Sequence, residues 1–231
     1  MDLIAGLQKL TLLDYPGRTA CTLFTGGCNF RCPYCQNSHL VLAPEEVEPY
    51  SWDEIIDFLN HRKGLLDGVC ITGGEPLLHP QIDSLIQTIH SMGFMVKLDT
   101  NGSYPDHLKE LVRSGCVDYV AMDIKNSPLH YGNTIGIPEY DLAAVQESVR
   151  YLLSAPVEYE FRTTVVREFH QAADFVAISL WIKGARRYFL QAFVDSGDLI
   201  EQGLHGYDRA EMENFASLIR PLVPSVHIRG I

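Results

Sequence analysis

The chain has few basic side chains, no long apolar run and no recognisable leader. Its 231 residues carry 29 acidic and 18 basic side chains, so the formal net charge is −11. That balance argues against general binding of nucleic acid, which requires a basic face. No stretch approaches the length of a membrane span, and residues 1–10 lack the basic start and apolar core of a signal peptide. These absences predict a cytoplasmic protein that binds neither nucleic acid nor membrane.

Internal repeats, low-complexity tracts and long linkers are also missing. Hydrophobic residues make up 46% of the sequence, which is enough for one large core at this length. We therefore expect residues 1–231 to form a single domain.

Three of the six cysteines stand close together, as Cys28, Cys32 and Cys35 with the spacing Cys-x3-Cys-x2-Cys. Thiolates are soft ligands suited to iron–sulfur clusters, and ferredoxins normally provide four per cluster. Three thiolates on a four-iron cubane leave one iron without a protein ligand, and an open metal position is where chemistry can occur. These cysteines are therefore the candidate metal ligands and catalytic residues.

A zinc site is the alternative that the spacing leaves open. Together with His39, the three cysteines could form a closed Cys3His site. A disulfide framework is disfavoured, because the density of cysteine is modest and the other three stand singly in apolar runs. Cys21, Cys70 and Cys116 are interpreted as small buried hydrophobes.

Short apolar runs alternate with amphipathic stretches along the chain. Strands are predicted at 19–24, 68–72, 94–99, 119–123, 157–166, 188–193 and 225–228. Helices are predicted at 52–61, 82–92, 106–114, 142–153, 172–182 and 208–219. Ser51 and Glu54 indicate a capping box, and Gly93 and Gly115 indicate helix ends.

Repeated strand–helix units predict an α/β fold with a parallel sheet. Six units are too few for a closed eight-fold barrel, so the candidates are a partial (β/α)6 TIM-like barrel and a doubly wound sheet. In both folds, ligands bind at the carboxyl ends of the strands.

Polar motifs follow several of the predicted strands. Gly73, Gly74, Glu75 and Pro76 could hold a polar ligand through close backbone approach and a fixed negative charge, or could form an ordinary turn with Glu75 in solvent. Other polar residues at or near strand ends are Asp99, Thr100, Asn101, Asp123 and Lys125. The first three could instead serve helix capping and turn chemistry.

Asp99 and Asp123 would repel each other if they converged, unless positive charge lies between them. A shared cation could supply that charge, and so could Lys125, which lies on the same side of its strand as Asp123. Arg162, on the fifth predicted strand, faces either inward or toward solvent.

The cysteine loop and the Gly-Gly-Glu-Pro segment together resemble those of the radical S-adenosylmethionine (SAM) enzymes. Leu13-Asp14-Tyr15-Pro16-Gly17, the run from Leu23 to Cys28 and Tyr34-Cys35-Gln36-Asn37 are similar to the glycyl-radical-enzyme activating proteins. Among these, the short anaerobic ribonucleoside-triphosphate reductase activating proteins are the most similar. The resemblance implies a partial (β/α)6 barrel, a [4Fe–4S] cluster on the three cysteines and SAM bound to the open iron.

The resemblance also implies roles for individual residues. Gly73, Gly74, Glu75 and Pro76 would hold the methionine amino group, and Tyr34 would pack beside the adenine. Asp99 and Asp123 match polar positions near SAM or a monovalent cation, and Thr100 and Asn101 belong to the same segment as Asp99. Lys125 matches a lysine near the SAM carboxylate, and Arg162 is a looser match.

Two departures from the family pattern bear on the substrate. Gln36 follows Cys35 where many activators have His, and the sixth predicted strand lacks the His of the formate-lyase activators. An inserted ferredoxin-like module is not expected, because the stretch between Cys35 and Gly73 is short and holds one further cysteine, Cys70.

The expected function is reductive cleavage of SAM and removal of an α-hydrogen from a glycine of a partner glycyl radical enzyme. Anaerobic ribonucleoside-triphosphate reductase is the expected partner, and a flavodoxin- or ferredoxin-type protein the expected electron donor. The alternatives are a radical SAM enzyme acting on a small molecule, a non-catalytic iron–sulfur carrier and a zinc module.

Overall fold

Strands and helices alternate along residues 3–231, the part of the chain that the computed structural model describes. The strands are β1 (Ile4–Thr11), β2 (Ala20–Thr25), β3 (Gly68–Gly73), β4 (Met95–Thr100), β5 (Tyr119–Asp123), β6 (Glu158–Val165), β7 (Tyr188–Ala192) and β8 (Val226–Arg229). The helices are α1 (Ser38–Leu42), α2 (Trp52–Arg62), α3 (Ile82–Ser91), α4 (Pro105–Arg113), α5 (Tyr131–Thr134), α6 (Ala143–Leu153), α7 (Ala172–Trp181) and α8 (Arg209–Ile219). Met1 and Asp2 lie outside the described residues. The predicted single domain (residues 1–231) and the segment predicted to lack a leader (residues 1–10) both include these two residues.

The eight strands follow one another in chain order within a single sheet. β2, β3 and β4 are parallel neighbours, and so are β6, β7 and β8. Parallel strands connected by helices are what the alternating pattern predicted. The α/β fold class is confirmed.

The first strand was not predicted. β1 pairs with β2 in the antiparallel direction, and its register is irregular at two places. Only its two end residues, Ile4 and Thr11, are buried, and three consecutive residues near its end are exposed. This edge strand therefore shows neither the alternation of a half-buried strand nor the apolar run of a central one.

The predicted helix ends are largely confirmed. At the start of α2, the Ser51 hydroxyl accepts a hydrogen bond from the backbone N–H of Glu54, and the Glu54 side chain accepts one from the Ser51 N–H. Gly93 and Gly115 have φ values of +91° and +74° just after α3 and α4. Glycine adopts this left-handed conformation without the steric cost that a Cβ brings.

The chain divides into two units. Unit 1 comprises the described residues up to Asn29, then His39–Thr100 and Asp106–Val120, and unit 2 comprises Phe30–Ser38, Asn101–Pro105 and Ala121–Ile231. Each has a fully buried apolar core, with Leu23, Ile71 and Leu98 in unit 1 and Phe161, Phe175 and Leu190 in unit 2. Within residues 3–231, every helix is too short or too polar to traverse a bilayer.

Candidate active site

The cysteine segment connects β2 to α1. Cys28 follows β2 in unit 1, whereas Cys32 and Cys35 belong to unit 2, where the backbone N–H of Cys35 donates to the carbonyl of Cys32 over 2.9 Å. Cys32 is buried and the other two are partly exposed. Burial raises the pKa of the Cys35 thiol and thereby disfavours its thiolate form. The positive charge of bound iron would offset this effect and favour the thiolate.

No disulfide joins any of the six cysteines, all of which lie within residues 3–231. Within the same range, no group of three or more His, Cys, Asp or Glu side chains is arranged to hold a single metal ion. A cubane cluster does not require its ligands to converge on one ion, because each thiolate binds a different iron. Three thiols in one short connection are therefore the soft donor set that such a cluster takes. The chemistry of these donors fits an iron–sulfur cluster.

The Gly73–Gly74 pair lies directly against the chain that leads into Cys28. Gly74 N donates to the carbonyl of Thr25, and Glu75 N donates to the carbonyl of Gly27, each over 2.9 Å. A Cβ on Gly74 would lie 1.8 Å from the Gly27 oxygen, and one on Gly73 (φ +114°) would lie 2.4 Å from Thr25 N. Both glycines are therefore required by this close approach of two backbones.

His79 holds the same chain from the other side and was not identified from the sequence. Its Nε2 lies 2.6 Å from the carbonyl oxygen of Gly26, so Nε2 carries the donated hydrogen. His79 follows the short 3-10 helix Pro76–Leu78, which the Gly-Gly-Glu-Pro segment initiates. The position of a histidine just after the Gly-Gly-Glu-Pro segment was the sequence signal that could have identified His79 as a site residue.

Glu75 is completely buried, so the interpretation of this residue as a solvent-exposed turn side chain is wrong. Its Oε1 accepts hydrogen bonds from the Thr100 hydroxyl at 2.7 Å and from the backbone N–H of Leu77 at 3.1 Å. The carboxylate also caps the 3-10 helix that begins at Pro76. The ends of β3 and β4 are thereby joined through two of the predicted site residues.

Asp99 is paired with Lys97, which was not predicted as a site residue. Lys97 Nζ donates to Asp99 Oδ1, and the lysine side chain is fully buried. The Cys70 sulfur lies 3.7 Å from Lys97 Nζ and 3.8 Å from Asp99 Oδ1. Cys70 is buried as predicted but has polar neighbours, whereas Cys116 is partly exposed, contrary to the interpretation of it as a buried hydrophobe.

In unit 2, Asp123 is held between two cations. Arg162 Nε donates to Asp123 Oδ1 and Lys125 Nζ donates to Asp123 Oδ2, each over 2.9 Å. Burial alone would raise the pKa of Asp123, but the charges of Arg162 and Lys125 outweigh it and hold that pKa well below its usual range. Burial lowers the pKa of Lys125, and the Asp123 carboxylate more than reverses this. Arg162 thus faces its neighbouring strand and contacts a predicted site residue.

Tyr34 is buried, and its hydroxyl has no hydrogen-bond partner among the described residues. Its ring packs against Phe169 and His170, with centroid separations of 5.7 and 6.4 Å. His170 was not predicted as a site residue. Its Nε2 donates to the carbonyl of Lys125 over 2.8 Å, its Nδ1 accepts from the backbone N–H of Val166 over 3.1 Å, and burial lowers its pKa. This histidine fixes the backbone of Lys125.

Asn101 is buried and serves turn chemistry. Its Oδ1 accepts hydrogen bonds from the backbone N–H of Ser103 at 2.9 Å and from the Ser103 hydroxyl at 2.5 Å. This arrangement is an Asx turn after β4. The turn interpretation of Asn101 is thereby confirmed, and its contact with a cofactor stays a prediction.

Comparison with known proteins identifies the superfamily. The Radical SAM superfamily profile matches residues 22–176. A Methanocaldococcus jannaschii protein, provisionally named glycyl-radical enzyme activating enzyme MJ1227, is 30% identical over 241 residues, covering 99% of this chain and 96% of its own. The chain therefore belongs to the radical SAM superfamily, and it is an enzyme that uses a [4Fe–4S] cluster and SAM.

Two further similarities extend over most of the chain. The 7-carboxy-7-deazaguanine synthase of Methanopyrus kandleri is 28% identical over 220 residues, covering 87% of this chain and 81% of its own. The crystal structure of QueE from Escherichia coli superposes with a TM-score of 0.59 at 16% identity, covering 99% of this chain and 94% of that chain. The structural similarity shows the shared fold.

Proposed function

We propose that this protein activates a glycyl radical enzyme by cleaving SAM reductively and removing the α-hydrogen of a glycine in that partner. The observation that carries the proposal is the similarity to the M. jannaschii protein over nearly the full length of both chains. The motifs around Tyr15 and Cys35 favour anaerobic ribonucleoside-triphosphate reductase as the first partner to test.

In this proposal, Cys28, Cys32 and Cys35 would hold the cluster. When bound and reduced, the cluster would supply the electron for reductive cleavage of the SAM sulfonium. The hydrogen bonds from Gly74 and Glu75 to the chain before Cys28 keep the start of the cysteine segment in place. The protein's own contribution is orientation of the reactants and exclusion of competing hydrogen donors.

We assign the SAM amino group to the segment of Gly73, Gly74, Glu75 and Pro76. The N–H groups of Gly74 and Glu75 donate within the protein, so the segment's acceptors are its carbonyl oxygens, and the buried Glu75 carboxylate adds negative charge behind them. Acceptors and a negative charge are what an ammonium group requires. Thr100 would keep the buried Glu75 carboxylate in place.

The assignments in unit 2 follow from charge. Lys125 and Arg162 place two positive charges beside the single carboxylate of Asp123, and cations suit the carboxylate of SAM. Tyr34 offers an aromatic ring and a buried hydroxyl for the adenosine part, and Asn101 remains a proposed cofactor contact. The electron donor would be a flavodoxin- or ferredoxin-type protein. A reducing compartment such as the cytoplasm would keep the three thiols available to iron.

The decisive experiment combines two anaerobic measurements on reconstituted protein. Reduced enzyme with SAM should yield 5′-deoxyadenosine, and with the candidate reductase it should yield the EPR doublet of a glycyl radical. Cys32→Ala should abolish both products, whereas Cys116→Ala, the matched control at a partly exposed cysteine outside the segment, should retain them. Full SAM cleavage by Cys32→Ala would refute the assignment of the cluster ligands.

A small-molecule substrate is the second candidate, favoured by the similarity to the M. kandleri synthase over 87% of this chain. Under this alternative, the reduced enzyme would cleave SAM without producing a glycyl radical on any candidate partner. Incubation with a small-molecule extract should then give 7-carboxy-7-deazaguanine, which mass spectrometry would detect. The presence of that product together with the absence of the EPR doublet would replace the first proposal by the second.

A further inference from the structure

Lys97 lies entirely inside unit 1 and points to the same side of β4 as Asp99, two residues further along. Its side chain has no exposed surface, and its ammonium group donates to Asp99 Oδ1. Cys70 is the in-register neighbour of Lys97 on the parallel strand β3, and its sulfur contacts both charged groups. The polar side chains of adjacent strands thus form one buried cluster.

Burial makes this charge pair significant. A lysine at a fully buried position keeps its charge only if an opposite charge compensates for the lost hydration. The Asp99 side chain, which is 11% exposed, requires positive charge for the same reason. A bound monovalent cation is one source of that charge, and a side chain of the protein is another.

We propose that Lys97 is the built-in counter-ion of Asp99 and supplies the positive charge that a bound monovalent cation would otherwise provide there. The pair also has a positioning role. Asp99 precedes Thr100, whose hydroxyl donates to the buried carboxylate of Glu75 at 2.7 Å. The charge pair therefore fixes the end of β4, from which Thr100 orients Glu75.

The test compares salts of equal ionic strength: potassium chloride, sodium chloride and choline chloride. Wild-type apo protein should melt at the same temperature in all three, because Lys97 already compensates Asp99. Lys97→Met leaves the Asp99 carboxylate buried without that ammonium. Its melting temperature should therefore rise by about 3 °C or more in potassium or sodium relative to choline, as expected when a ligand binds the folded state.

The double variant with Lys97→Met and Asp99→Asn is the matched control. It removes both charges, so it should fold and show the same melting temperature in every salt. In loaded wild-type enzyme, the rate of 5′-deoxyadenosine formation should be unchanged when choline replaces potassium. Lys97→Met should lose that activity in choline and regain it in potassium.

Two results would overturn the inference. One is a saturable rise of the wild-type melting temperature or SAM-cleavage rate with potassium or sodium and not with choline. The other is a folded Lys97→Met protein without any cation-specific response. If Lys97→Met does not fold in any salt, the wild-type titration decides by the same criterion.

The activity readout rests on the proposed placement of Asp99 near SAM. The melting-temperature measurement needs neither cluster nor partner protein. The cation inference can therefore fail while glycyl radical formation succeeds, and glycyl radical formation can fail while the cation inference holds.

Discussion

Replacement of Gly74 by alanine should detach the start of the cysteine segment from β3. The added Cβ would lie 1.8 Å from the carbonyl oxygen of Gly27 and 2.6 Å from its carbon. An ordinary van der Waals contact is about 3.5 Å, so the two backbones must separate by roughly 1.5 Å. Both partners are main chain, and no rotamer change can relieve the overlap.

The expected cost has two parts. Separation breaks the hydrogen bonds from Gly74 N to Thr25 and from Glu75 N to Gly27, which contribute about 1 kcal/mol each. Backbone displacement by overpacking adds about 1–3 kcal/mol. We therefore expect Gly74→Ala to lower the free energy of unfolding by about 3–5 kcal/mol.

Denaturant unfolding of the apo protein measures that change, and iron content after reconstitution measures its effect on Cys28. Gly6→Ala is the control, because its Cβ would lie 3.3 Å from both Cβ and Cδ2 of Phe24. A shift of a few tenths of an ångström relieves those contacts, so its stability should stay within about 1 kcal/mol of wild type. If Gly74→Ala matched Gly6→Ala in both stability and iron content, the inferred role of this close approach would be wrong.

Three further predictions concern unit 2. Asp123→Asn leaves Lys125 and Arg162 together without their carboxylate, and urea unfolding should show a loss of about 2–3 kcal/mol; an unchanged midpoint would contradict the charge arrangement. Because the pKa of Asp123 is lowered from 3.8 in the folded protein, its stabilisation is fully present above about pH 4 and lost as pH falls through the folded pKa. Acid unfolding of wild type should therefore show a steeper pH dependence over this range than that of Asp123→Asn, in which other carboxyl groups with lowered pKa values still titrate. Tyr34→Phe removes a buried hydroxyl without a hydrogen-bond partner among the described residues, so calorimetry of the apo protein should show equal or higher stability; a marked loss of stability would indicate a partner for that hydroxyl.

The positions of the central strands were predictable because parallel strands are buried on both faces and appear as apolar runs. The runs before Gly73, Asp99 and Asp123 are of this kind, and each predicted strand matches an observed one within a residue or two. Capping residues are equally local signals, as Ser51 and Glu54 confirm. The strand at Ile4–Thr11 lacked both signals, since its pairing at the sheet edge depends on β2.

The candidate site was predictable as a set of residues and less so as a set of contacts. The pairing of Asp123 with Lys125 follows from their spacing of two residues at the end of β5, but Arg162 joins them from β6 through tertiary register. The charge pair of Lys97 and Asp99 was missed because a lysine within a strand is ordinarily exposed. Its burial depends on the alignment of β4 with Cys70 of β3, which no local pattern specifies.

The hydrogen bonds that Gly74 and Glu75, after β3, donate to Thr25 and Gly27 have a consequence for cluster assembly. Cys28 acquires its position only when segments far apart in the chain have already come together, so a nascent polypeptide emerging from the ribosome presents a different thiol arrangement. Iron and sulfide should consequently be inserted after folding, and loading should proceed faster into native apoprotein than during refolding from denaturant.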